Sequence, residues 1–209
     1  MPDFELEHLC QAAGHRVICG VDEAGRGPWA GPVVAAAAVV DETRLPADLM
    51  NAIDDSKKLS AAKRAFLFAR FDGGIRIGIG QADVGEIDRL NILQATMLAM
   101  SRAVAALPVD VDFALIDGNR LPDLGSIGAD SIVKGDTRSL SIAAASIAAK
   151  VTRDRIMKEL AAIHPGYGWE KNAGYGTPQH QDGLARLGVT PAHRKSFAPI
   201  RKILGRDSP

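Results

Sequence analysis

Four carboxylates in this chain follow apolar runs with strand character: Asp22 and Glu23 after RVICGV, Asp117 within VDFALIDGN, and Asp136 at the end of DSIVKGD. In open α/β sheets, ligand sites gather in crevices beyond the carboxyl ends of strands. Acids brought together there repel one another unless they are protonated or bridged by a cation. An all-oxygen donor set favours hard ions, Mg²⁺ or Mn²⁺, over zinc. Two such ions roughly 3.5–4 Å apart form a clamp for displacement at a phosphodiester. Each acid taken singly has a plainer use. Asp117 precedes Gly-Asn and could start a turn. Asp136 precedes Thr-Arg-Ser and could cap a helix. Asp22 and Glu23 could be an exposed strand end. The recurrence of acid after strand favours one shared site, but convergence also needs a sheet order that sequence does not supply.

The run GRGPWAGP, residues 25–32, adds a different capacity. Glycine admits positive φ and lets a ligand come close to the main chain. Free N–H groups beside Arg26 suit a phosphate or a sugar hydroxyl. The run lacks the Lys-Ser/Thr of a P-loop and the spacing of a dinucleotide fingerprint, so an ordinary turn with a proline stop remains open. Lys57 and Lys58, in DSKKLS, are either phosphate contacts or part of a solvated loop. Tyr175 stands between glycines in NAGYGT, where an aromatic face could stack on a sugar or base or simply pack down locally. The five histidines form no HxxxH or HExxH pair, and no G-x-S-x-G elbow occurs.

The elements that must position these groups follow from periodicity. Strands are expected over 16–22, 33–40 and 75–82, with two more that run into turns within 111–119, turning at Gly118-Asn119, and within 130–136. The alternation of isoleucine at 75, 77 and 79 reads as a half-buried strand. Helices are expected over 61–71 with Ser60 as N-cap, over 84–107 with a break near Asn91, over 139–164, and from near Pro178. Strands first, then alternating helix and strand, point to an α/β layered domain. The predicted division is a catalytic domain over 1–164 and a loop-and-helix extension over 165–209.

Composition bounds the function class. The 209 residues suffice for one sizeable core, 46% are hydrophobic, and 25 basic residues balance 25 acidic ones. No run approaches the ~20 apolar residues of a membrane span, and the acidic, mixed N-terminus does not read as a signal peptide. Cys10 and Cys19 lack metal-type spacing and read as two free thiols of a cytosolic protein. The neutral total hides an asymmetry: residues 1–133 carry 12 basic and 19 acidic residues, a balance of −7, and residues 134–209 carry 13 and 6, a balance of +7. A basic C-terminal third beside an acid-bearing remainder suits a bound polyanion, although solvated faces also vary in charge.

Taken in order, VDEAGRGPWAGPV, DDSKKLS, EIDRLNILQAT, LIDGN, IVKGD, SIAAASIAAKVTRD and GYGT resemble the type 2 ribonucleases H in their bacterial, ribonuclease HII form. The resemblance covers most of residues 16–180 and is specific as a combination; GYGT alone would mean nothing. It implies a ribonuclease H-like fold, a mixed five-stranded sheet flanked by helices with a small helical C-terminal part. It implies Asp22, Glu23, Asp117 and Asp136 as catalytic, metal-binding acids for Mg²⁺ or Mn²⁺. By the same resemblance, the main chain of Gly25, Arg26 and Gly27 would read a ribose 2′-hydroxyl, Tyr175 would stack on the following deoxyribose, and Lys57 and Lys58 would hold phosphates. Trp29 stands where the family often has an aliphatic residue, and the tail SFAPIRKILGRDSP carries no sliding-clamp-binding segment.

The implied activity is endonucleolytic cleavage of RNA in RNA–DNA hybrids, or at single ribonucleotides embedded in duplex DNA, leaving 3′-hydroxyl and 5′-phosphate ends. A cytoplasmic monomer without a membrane partner is expected. Two rivals are another metal nuclease of the same fold, which would cut DNA without a ribonucleotide, and a non-catalytic nucleic-acid-binding module built on the basic third. An ATPase of related fold is disfavoured by the missing phosphate loop.

Overall fold

A computed structural model describes residues 1–205 of the chain. Its elements run α1 (Glu5–Ala12), β1 (Ile18–Ala24), β2 (Val33–Val40), α2 (Ala47–Met50), α3 (Ala61–Phe68), β3 (Ile75–Ala82), α4 (Val84–Leu90), α5 (Ile92–Ala105), β4 (Phe113–Asp117), β5 (Gly128–Ile132), α6 (Leu140–Ile163), α7 (Trp169–Asn172), α8 (Pro178–Leu187) and α9 (Ala198–Ile203). The strands form one five-stranded sheet in the order β3-β2-β1-β4-β5. β1 pairs antiparallel with β2 and parallel with β4, and β4 pairs parallel with β5. The expected mixed α/β sheet flanked by helices is therefore present.

Parallel pairing is what builds a site. β1, β4 and β5 all point the same way, so their C-terminal ends meet at one edge of the sheet. The expected strand over 16–22 in fact runs on to Ala24, because Asp22, Glu23 and Ala24 pair with Ala36, Ala35 and Val34 of β2. Asp22 and Glu23 are thus inside the strand, not beyond it. Asp136 lies past the end of its strand, in a 3₁₀ turn over Gly135–Thr137. It does not cap the long helix; the Ser139 hydroxyl does, accepting the Ile142 N–H.

Two helices cover the sheet, one on each face. α6 packs its alanines (Ala143, Ala144, Ala148) against Ala36 and Ala38 of β2. α5 packs Ala95, Ala99 and Ala103 on the face carrying Cys19, Val21, Ala35 and Ala37. Small side chains on both partners bring helix and sheet close together. β3 departs from the half-buried reading. Its isoleucines are packed against the α6-side core, while Gly78 and Gly80 form the more deeply buried face. A Cβ at either glycine would lie 2.2 Å from a carbonyl oxygen of α5, so glycine there permits helix-on-backbone contact. The alternation of isoleucine is real, but of the positions between only Arg76 faces water, while Gly78 and Gly80 face a helix.

The expected break near Asn91 is present. Asn91 takes φ 71°, and its side chain accepts the N–H groups of Leu93 and Gln94 to start α5. Ser60 likewise caps α3 through Lys63 N. The mixed N-terminus carries little helical pattern, yet it forms α1. Its Glu7 is buried, and Oε1 accepts from Ser139 Oγ, Ser141 N and Ser141 Oγ, a negative charge on the first turn of α6. The expected division at 164 falls at the end of α6. The described part of the extension shares its core with the first part: Trp169, Leu184, Ala192 and Ile200 pack with Ala30 and Met157. The last four residues of the tail, including the end of the SFAPIRKILGRDSP segment, lie outside the described residues. No described helix is long and apolar enough to cross a membrane.

Candidate active site

At the shared strand edge a cavity of about 260 Å³ is lined by Asp22, Glu23, Gly25, Arg26, Gly27, Lys57, Asp117 and Tyr175. Asp136 does not line the cavity but adjoins it: Lys57 Nζ donates to its Oδ2 at 3.0 Å, and the neighbouring Gly135 N–H donates to Asp117 Oδ1 at 2.7 Å. Nine of the ten residues singled out from sequence therefore meet in one place. The tenth, Lys58, turns to Asp54 at 3.2 Å and does not line the cavity. It follows Lys57 in the Asp55–Lys58 turn, so the two ammonium groups leave in different directions.

The electrostatics are those of excess negative charge under partial burial. Burial, then the charges of Glu23 and Asp117, pushes Asp22 well above the usual carboxylate range, although Ser146 and the Glu23 N–H work against it. Burial also raises Glu23, opposed by Arg26, whose Nη1 stands 3.3 Å from Glu23 Oε1. Asp117 is raised by burial and by Asp136, against the Gly135 hydrogen bond. Lys57 is raised by its hydrogen bond to Asp136.

This donor set fits a hard divalent cation. All four acids offer oxygen only, and their mutual repulsion is what a bound 2+ charge would relieve. As placed, they do not close on a common point: among the described residues no three acid, imidazole or thiol groups are arranged around an ion position. Lys57 and Arg26, both on exposed stems, pair with Asp136 and Glu23.

Several residues of the site escaped the sequence reading. Ser146, Lys150 and Arg153 line the same cavity from α6. Ser146 Oγ lies 2.9 Å from Ser56 Oγ, tying the lysine-bearing loop to the helix under Asp22. Lys150 pairs with Asp154, which also meets Arg64 Nη2 at 3.4 Å. The spacing of four between Ser146, Lys150 and Asp154 puts them on one helix face and was a usable signal. Arg153 and Arg194 left no such signal. Both are fully buried, and both spend their guanidinium groups on main-chain carbonyls, which no side-chain pattern reveals. Burial lowers Arg153 to about 10 and Arg194 to about 9, so each stays charged at neutral pH.

Behind Tyr175 lies a buried pair of imidazoles. His180 Nε2 receives the Trp169 indole N–H at 3.1 Å and lies 3.1 Å from His193 Nε2, while His180 Nδ1 lies 3.0 Å from the Tyr175 carbonyl. His193 Nδ1 accepts the Thr190 N–H at 2.9 Å. Burial, then His180, pushes His193 down to about 4. The unfolded chain binds this proton near the ordinary value of about 6.5 and the folded chain does not, so stability falls as pH drops through that window toward 4. His193→Asn, whose amide oxygen can still accept from Thr190, is expected to lose this slope. The difference between the two proteins in denaturant-unfolding free energy should change by on the order of 2–3 kcal/mol between pH 7 and pH 4. Parallel curves would show that His193 does not titrate across folding.

Comparison with known proteins decides the family. The family model described as Ribonuclease HII matches residues 19–200. The chain belongs to the ribonuclease HII family. Among its relatives, the Ribonuclease HII of Rhodospirillum rubrum is 59% identical over all of this chain and 94% of its own length. The solved structure of ribonuclease H2 from Pyrococcus horikoshii OT3 is 27% identical, with a TM-score of 0.75 over 91% of this chain and 98% of that one. Bst-RNase HIII, solved in complex with Mn²⁺, is 21% identical and shares the fold, with a TM-score of 0.73 over 90% of this chain and 69% of its own. As a ribonuclease HII the protein is an enzyme, an endoribonuclease of RNA–DNA hybrids, and its sheet and helices are those of the ribonuclease H-like fold.

Proposed function

We propose that this ribonuclease HII cuts the RNA strand of RNA–DNA hybrids and also duplex DNA at single embedded ribonucleotides, leaving 3′-hydroxyl and 5′-phosphate ends. The observation that carries the reading is the meeting of Asp22, Glu23 and Asp117 with Gly25–Gly27 and Tyr175 around one cavity. Asp22, Glu23, Asp117 and Asp136 would hold Mg²⁺ or Mn²⁺; the Mn²⁺ complex of Bst-RNase HIII, of like fold, lends support. Two such ions, when bound, supply activation of the attacking water and stabilisation of the leaving 3′-oxygen.

The protein's own groups do the rest. Arg26 and Lys57 offset the charges of Glu23 and Asp136, and Lys57, with its exposed stem, can reach a phosphate. Lys150 lines the same cavity and can act likewise. Gly27 lies beside Tyr175: a Cβ there would stand 3.3 Å from the tyrosine ring. A sugar whose 2′-hydroxyl meets the Gly25–Gly27 main chain thus has its neighbour against an aromatic face. The 2′-hydroxyl is the one group that marks a ribonucleotide within DNA, so specificity rests there. Lys58, paired with Asp54, has no part in this reading. Buried free thiols at Cys10 and Cys19 agree with a reducing, cytoplasmic setting, in which the enzyme acts as a monomer.

The test compares a duplex carrying one ribonucleotide with its all-DNA twin in Mg²⁺, with the ends of the product mapped. Cleavage of the first alone, 5′ to the ribonucleotide, is expected. Equal cleavage of both would turn the assignment toward a general metal nuclease.

A further inference from the structure

Residues 25–32 leave β1 without entering another element until β2, yet they are held by two buried arginines. Arg194, wholly buried, donates Nη2 to Gly25 O at 2.6 Å and to Pro32 O at 3.1 Å, Nη1 to Arg26 O at 3.0 Å, and Nε to Gly31 O at 2.9 Å. Arg153 donates to Pro32 O, Ala30 O and, across to the tyrosine loop, Ala173 O. Neither makes an ion pair among the described residues. A guanidinium without a carboxylate, hydrogen-bonded entirely to carbonyls, is a clamp for main chain, and its planar fork sets the direction of each bond.

The consequence follows from peptide geometry. In a trans peptide, C=O and the next N–H point in opposite directions. With Gly25 O and Arg26 O turned inward to Arg194, the N–H groups of Arg26 and Gly27 must face outward, into the cavity that both residues line. Among the described residues, neither N–H donates to any protein acceptor.

We infer that Arg194 is the positioning residue for ribonucleotide discrimination: it aims the Arg26 and Gly27 amides at the sugar without touching the substrate. The inference rests on reading Gly25–Gly27 as the 2′-hydroxyl sensor. It also gives the C-terminal part a role in specificity, since Arg194 reaches the loop from beyond α8. Asp88 of α4 holds the segment that follows, accepting Lys195 N at 3.0 Å, Ser196 N at 2.8 Å and Ser196 Oγ at 2.7 Å.

The test measures binding of two duplexes in EDTA, where neither is cut: one with a single ribonucleotide and its all-DNA twin. The intact protein should prefer the first by roughly tenfold, about what one hydrogen bond supports. Arg194→Lys keeps the charge but cannot span four carbonyls, and its preference should fall toward parity with affinity for the all-DNA twin unchanged within about twofold. Asp88→Ala loosens the same segment from outside, leaves the buried carbonyls paired, and should lower the preference in part; it decides the matter if Arg194→Lys does not fold. Retention of the full preference by the folded variants, or equal loss of affinity for both duplexes, overturns the inference. Absence of any preference in the intact protein overturns the 2′-hydroxyl reading itself, a failure visible before any variant is measured.

Discussion

Asp22→Asn should lower Mg²⁺-dependent cleavage by on the order of 10³-fold or more while raising the melting temperature of the metal-free protein. The two effects share one cause. Asp22 is almost fully buried, and its ionised form is disfavoured by burial and by Glu23 and Asp117. The sign is direct: a carboxylate raised in the folded state weakens folding at neutral pH, where the unfolded chain ionises it freely. Asparagine removes that charge and keeps an oxygen to accept the Glu23 N–H, which Asp22 Oδ1 now receives at 2.7 Å. A gain of ~1–2 kcal/mol corresponds to several degrees for a chain of this size. Added Mg²⁺ should raise the melting temperature of the native protein and do so much less for the variant, because a ligand stabilises only what binds it. On the proposed reading of Asp22 as a metal ligand, activity falls because about 4 kcal/mol of transition-state stabilisation is lost with it. Unchanged cleavage would place the reaction elsewhere, and a lower melting temperature would mean that the ionised acid holds the strand edge together.

Gly20→Ala should have the largest effect on folding. Gly20 sits mid-strand in β1, directly beneath the first turn of α6. A Cβ there would lie 2.2 Å from Ile142 N and 2.3 Å from the Ser141 carbonyl carbon. Those are backbone atoms of a helix whose N-terminus is also held by Glu7, so they cannot move alone. Accommodating one methyl means lifting α6 off the central strand. Overpacking commonly costs ~1–3 kcal/mol, and a backbone obstacle belongs at or above the top of that range. A drop of roughly 10 °C in melting temperature and poor soluble yield are expected, measured by thermal denaturation of the purified variant. Activity should fall with it, since α6 carries Ser146, Lys150 and Arg153 to the site. A melting temperature within a degree of the native protein would contradict this seating of α6 on β1.

Much of the architecture could be read from sequence because it depends on neighbours along the chain. The strand over 33–40, the break at Asn91, the cap at Ser60 and the start of α8 at Pro178 are local events, set by turn chemistry and by capping hydrogen bonds. Where partners are distant along the chain, local pattern does not reveal them. β1 extends through Ala24 because β2 pairs with it, and the glycine face of β3 is buried because α5 lies on it. α1 forms from a segment of little pattern because its Glu7 meets the N-terminus of α6.

The same boundary runs through the site. Sequence by itself determined the chemical types: four acids after strands, a glycine-rich run beside an arginine, a loop tyrosine, and motifs whose order marks the family. Only the tertiary structure decided that the acids gather at one edge of the sheet, because that requires β1, β4 and β5 to be parallel neighbours with their carboxyl ends on one side. It separated Lys57 from Lys58, adjacent in sequence but turned to Asp136 and Asp54. It also brought Arg194 from near the far end of the chain onto the carbonyls of Gly25 and Arg26. A buried arginine bound to main chain has no complementary residue type to betray it, since every residue offers the same carbonyl. Its partner is chosen by three-dimensional proximity alone.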